Sequence, residues 1–96
     1  MNDAMPVGVL AGERNHGEYN NLLHQTEAQI ARSMISYDAE IAEHSRKIAN
    51  PAAYIEAWHL KDPRYQQGLL RRWGKEVASF KEKRALAQYV LLKRRR

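Results

Sequence analysis

His16, His24, His44 and His59 are the only imidazoles in the chain. A zinc site on a helix takes ligands one turn apart, as in His-x-x-x-His, because that spacing aims two ring nitrogens at one point. No two of these histidines have it. Glu40 and His44 are four apart and would share a helix face, yet two ligands do not complete a coordination sphere. A structural or surface role is expected for that pair. Ser33, Ser36, Ser45 and Ser79 fall in helix-like stretches without the glycine pattern of a nucleophile elbow. No glycine-rich loop leads into Lys-Ser or Lys-Thr, so a phosphate-cradling loop is not expected. Carboxylates such as Glu40 and Glu43 fall on exposed-looking positions, not in the desolvated settings that acid–base chemistry needs. The reading is a protein that is not an enzyme, with no catalytic residue, no metal and no cofactor.

The residues with the clearest chemistry are cations. Arg64, Arg71, Arg72, Lys75, Lys81, Lys83, Arg84, Lys93, Arg94, Arg95 and Arg96 crowd the C-terminal half. Such residues attract phosphates through charge and counter-ion release, without reading base sequence. Arg71-Arg72-Trp73 also offers a guanidinium–aromatic group of the kind that stacks on a base. These twelve residues are the candidate surface. The net charge of +5 is unevenly spread. Residues 1–50 hold seven acids and four Lys/Arg, a net of −3, whereas residues 51–96 hold four acids and twelve Lys/Arg, a net of +8. That asymmetry suits a polyanion-binding half or two halves that attract each other.

Positioning these cations requires helices. Residues 18–48 contain neither Gly nor Pro. Large apolar residues recur there at Tyr19, Leu23, Ile30, Met34, Tyr37, Ile41 and Ile48, with Thr26 and Ser45 completing the series, close to a 3.6-residue period. The spacing predicts one long helix, flanked by Ala28, Ala31, Ala39 and Ala42, which permit close approach of another helix. Asn50-Pro51 then predicts a corner, with Asn50 as a cap and Pro51 at the first position of a short helix reaching about Leu60. Asp62-Pro63 repeats the signal and starts a helix to about Lys93. Gly74 would end that helix or sit inside it. Leu69, Trp73, Val77 and Phe80 stay in register across the glycine, which favours continuity. The last four cations, 93–96, are expected to fray as a tail.

The predicted fold class is all-α: a long antiparallel helical pair with a short bracing helix and a flexible N-terminal arm over residues 1–17. Residues 18–96 form the single helical domain. The expected core draws on Leu23, Ile30, Met34, Tyr37, Ile41, Ile48, Ile55, Trp58, Leu69, Trp73, Val77 and Phe80. The arm has Pro6, Gly8, Gly12, Asn15 and Gly17 and no sustained period, with a Val7–Leu10 patch able to dock. With 96 residues the core is small, and a second copy or a permanent partner would help to cover it.

The chain has no cysteine. It shows no apolar run long enough to span a bilayer and no basic, apolar start of the signal-peptide kind, so a cytoplasmic location is expected. Membrane-surface binding is disfavoured because the apolar stripe is needed for folding. No DNA-binding motif is complete. A helix-turn-helix forced onto the two proline-started segments lacks the small turn residue and pairs helices that are too unequal. Two functions therefore stand side by side. One is a small basic protein that associates with nucleic acid through its C-terminal half. The other is an adaptor or inhibitor that presents the same cations to an acidic surface of a larger protein, such as a DNA-processing enzyme, as accessory factors of mobile elements or phages do.

Overall fold

A computed structural model describes residues 16–95. Three α-helices account for most of this stretch: α1 (His16–Leu23), α2 (Glu27–Ala49) and α3 (Pro63–Arg94). No strand occurs among the described residues. The two long helices pack against each other. As the α2 position rises from Asp38 to His44, its partner on α3 falls from Arg84 to Glu76, so the pair is antiparallel. The expected all-α fold with a long helical pair is the observed one. No helix among the described residues is long and apolar enough to cross a membrane. The proposed arm lies outside the described residues except for its last two positions, 16 and 17, which are helical. Its Val7–Leu10 patch lies wholly outside them.

The long N-terminal helix expected from periodicity is two helices. The break falls at His24 and Gln25, and Thr26 caps α2 instead of occupying its stripe. The Gln29 backbone N–H donates to the Thr26 hydroxyl at 3.1 Å, and the Thr26 N–H donates to Gln29 Oε1 at 2.8 Å. This reciprocal box satisfies two donors that a continuing helix would have paired along its axis. The other side of the break is secured from far away. The Arg94 guanidinium donates to the carbonyls of Leu22 at 2.9 Å and Leu23 at 3.1 Å, and also to that of Gln25. Carbonyls at the end of a helix have no partner within it, and a cation there also suits the helix dipole.

Turning α1 out of line with α2 lays Leu22 into the core beside Ile30, Leu86, Ala87, Val90 and Leu91. Leu22, Ile30 and Leu86 have no exposed surface. Complete burial of such side chains is worth roughly 1.5–3 kcal/mol each. Tyr19 and Met34 pack against the edge of this cluster. The centre of gravity of the core thus lies towards the end of α3, not along residues 69–80 as expected. Two expected core members, Leu23 and Ile48, face solvent at 48% and 37% exposure. The alanines 28, 31, 39 and 42 are exposed and not covered by another helix.

The connection from α2 to α3 also differs from expectation. Residues 51–60 form two 3-10 turns, Pro51–Ala53 and Trp58–Leu60, in place of one short α-helix. Ala57 between them has φ 55°, a left-handed conformation that no α-helix accepts. Asn50 makes no side-chain cap and instead closes α2, its N–H donating to the Arg46 carbonyl at 3.0 Å. The bracing function survives in another form. Trp58 reaches α3 and stacks on Trp73 with ring centroids 6.4 Å apart. The Gln66 side-chain amide donates to the Trp58 carbonyl at 2.7 Å and ties the turn to α3.

The sequence signals at the start of α3 hold. The Asp62 carboxylate accepts from the Arg64 N–H at 2.7 Å, and Pro63 occupies the first turn. The helix runs unbroken through Gly74 for 32 residues. At 1.5 Å per residue that is about 48 Å, which accounts for most of the 53 Å long axis of the molecule.

Candidate functional site

The continuity of α3 sorts the expected surface residues by angle. At 3.6 residues per turn, positions 64, 71 and 75 fall within about 40° of one another, on the side opposite Trp73. Arg64, Arg71 and Lys75 are exposed there and make no ion pair among the described residues. They form a row roughly 16 Å long by the helical rise. Arg72 flanks the row with a side chain 75% exposed, and its Nε donates to Glu76 Oε1 at 3.2 Å. An open depression of about 430 Å³ runs between Arg71, Arg72 and Lys75, with Gly68 at one edge and Ser79 at the other.

The rest of the expected set is dispersed. Trp73 is withdrawn from it as a correction: the indole is 6% exposed and faces Trp58, so no face is left to stack on a base. Arg84 is engaged by the acidic helix, with Nε donating to Asp38 Oδ1 at 2.6 Å and Nη1 to Gln88 Oε1 at 3.0 Å. Lys83 lies over the Phe80 ring and Lys93 over the Tyr89 ring, with Nζ 5.6 and 6.0 Å from the centroids. Arg94 belongs to the break between α1 and α2 and is no part of a frayed tail, since α3 remains helical through it. Lys81 and Arg95 are exposed without an ion pair among the described residues, but neither joins the row around Arg71. Arg96 lies outside the described residues.

The attraction expected between the acidic and basic halves is therefore local. It consumes Arg84 through Asp38, whereas the other link between the two helices, His44 Nε2 2.5 Å from Glu76 Oε2, has its carboxylate on the basic helix. The row from Arg64 to Lys75 is not reached by it.

His44 sits in a built environment between α2 and α3. Its Nδ1 lies 2.8 Å from the Glu40 carbonyl oxygen, its Nε2 meets Glu76, and its ring lies 5.7 Å from that of Phe80. Folding has thus brought a second carboxylate to the Glu40–His44 pair. Both ring nitrogens are taken up by these contacts, and no group of three or more His, Asp or Glu residues among those described is placed to hold a metal ion. The arrangement links α2 to α3.

A second, partly buried polar link lies between α1 and α2. The Tyr37 hydroxyl donates to Glu18 Oε1 at 2.5 Å. Burial pushes the phenol well above its ordinary pKa, and the hydrogen bond and charge of Glu18 push it further in the same direction.

Comparison with known proteins returned no match: no family model fits the chain, and no curated protein and no solved structure matches it.

Proposed function

We propose that this is a non-enzymatic protein that associates with nucleic acid through the outer face of the first half of α3. The observation that supports the reading most is the row of Arg64, Arg71 and Lys75, exposed and without an ion pair among the described residues although an acidic helix lies in the same small molecule. Like charges lined along one face of a rigid helix repel one another. A phosphate backbone relieves that repulsion and gains entropy as its condensed counter-ions leave. The row is built of cations, which suit phosphates whatever the base sequence, so the association proposed is with the backbone.

A second reading, an adaptor or inhibitor seated on an acidic protein surface, draws support from the neighbouring corner. Leu60 is 87% exposed there, with Tyr65 at 47% and Tyr54 at 44%. Aromatic residues and arginine are enriched at protein interfaces.

Titration of fluorescent duplexes of unrelated sequence over a range of salt concentrations tests the first reading. Similar affinities are expected, with log affinity falling linearly against log salt. Replacing Arg64, Arg71 and Lys75 together by Ala should make that slope shallower by roughly 2–3 units, at about 0.9 for each phosphate that is no longer neutralised. No binding to any duplex or single strand at low salt would overturn it and leave the protein-partner reading.

A further inference from the structure

Arg71 stands between two glycines on the helix surface. Gly68 is three residues before it and Gly74 three after, and both are inside α3, not at its ends. Glycine is the least favourable residue in a helix interior after proline. Such a cost is usually compensated by a close neighbour or by a left-handed backbone. Neither applies here. Among the described residues, a Cβ added at Gly68 or at Gly74 would meet nothing within 4 Å, and neither glycine has a left-handed backbone. The packing of the described residues therefore does not need either glycine. The side chains missing at 68 and 74 leave bare backbone on both sides of one unpaired guanidinium. Gly68 also borders the depression that runs between Arg71, Arg72 and Lys75.

We infer that the two glycines are clearance for a ligand: a phosphodiester backbone seats directly on the α3 backbone on either side of Arg71, close enough for the guanidinium to engage a phosphate while Arg64 and Lys75 hold its neighbours. Glycine serves this purpose wherever another chain must approach a backbone closely, and the fork of Arg suits phosphate oxygens. The occupant follows from the charge around the clearance. Arg71, Arg72 and Lys75 line the depression beside Gly68, Arg64 stands one helical turn before that glycine, and the one carboxylate in the lining, Glu76, is already engaged by Arg72 and His44. This inference rests on the nucleic-acid reading and adds to it where on α3 the strand lies.

The test is a size series at each glycine, Gly68→Ala, Gly68→Gln and the same pair at Gly74, with Ala85→Gln as a distant exposed control on α3. All four glycine variants should melt at higher temperature than the natural chain, since each improves helix propensity without a clash. Affinity for a 20-base-pair fluorescent duplex at low salt should fall little with Ala and by roughly tenfold with Gln, if the strand must approach the backbone itself. The control should bind as the natural chain does. A duplex affinity untouched by Gln at both positions, in a protein whose binding still depends on Arg71, would overturn the clearance while leaving the nucleic-acid reading intact. A natural chain with no affinity for any nucleic acid would refute both.

Discussion

Trp58 and Trp73 lie nearly parallel, their planes 22° apart and their ring centroids separated by 6.4 Å. One ring comes from a 3-10 turn and the other from α3, so this contact, with the Gln66–Trp58 hydrogen bond, holds the corner of the hairpin onto its second arm. Both rings are almost completely buried, at 8% and 6% exposure.

Trp73→Ala should cost about 3–5 kcal/mol in a urea or thermal unfolding measurement, the usual range for deleting a buried aromatic ring. In a double-mutant cycle with Trp58→Ala, the two losses should be coupled by roughly 0.5–1.5 kcal/mol beyond their separate packing. Near-natural stability of Trp73→Ala would show the ring to be exposed and return it to the candidate surface.

Arg94→Ala should destabilise the fold by about 1 kcal/mol, because the carbonyls of Leu22, Leu23 and Gln25 lose their shared donor at a partly exposed site. Arg94→Lys should recover only part of the loss, since an ammonium does not reproduce the planar fork. Arg95→Ala should stay within about 0.5 kcal/mol, as surface changes do. Thermal melts of the three variants decide the matter. Equal effects at 94 and 95 would show that charge alone, not the helix-end contact, is at work. Deleting residues 93–96 would therefore mix a structural loss with an electrostatic one, and substitutions at 64, 71 and 75 separate them.

Tyr37 carries a pH signature. The fold holds the phenol neutral, donating to Glu18, and raises its pKa above the ordinary value of about 10. The stability this contributes is fully present below about pH 10 and is lost as pH rises towards the higher folded value, because the unfolded chain releases that proton first. Unfolding free energy measured from pH 8 upwards should fall more steeply in the natural chain than in Tyr37→Phe. Parallel curves would mean that the phenol titrates normally and the contact with Glu18 contributes little.

Where the local pattern and the fold agree, the deciding partners are close in sequence. Asp62-Pro63 starts α3, and the register of Leu69, Trp73, Val77 and Phe80 carries it through Gly74, because cap and phase are properties of a dozen neighbouring residues. The break at His24 is legible in part: Thr26 and Gln29 have the spacing of a capping box. What overrides the continuous apolar stripe is Arg94, 72 positions from Leu22, which no local period can register. The corner departs from its local pattern for a different reason. Residues 51–60 are rich in good helix formers, yet a left-handed Ala57 wins because it lets Trp58 meet Trp73. Leu86, Val90 and Leu91 lead into a run of cations that reads as a tail, and this hides their place at the centre of the core. The candidate site shows the same division. The kinds of residue are plain from the sequence. Which cations remain free is not, since Asp38 selects Arg84 from 46 positions away.

The position of α1 sets an order on assembly. Joining Leu22 to Arg94 directly closes a loop of 72 residues, and joining Asp38 to Arg84 closes one of 46. The entropy difference between those closures is only roughly 0.4 kcal/mol. A larger effect comes from sequence. Once α2 and α3 have zipped from the tryptophan corner outwards, α1 is tethered to the far end of the hairpin by the few residues around His24, and its search becomes nearly local. Eight residues make too short a helix to persist alone in water. Helix α1 is therefore expected to gain its shape on docking, to join last and to be the first element released when the protein opens, so its amides should exchange faster with solvent deuterium than those of α2 and α3.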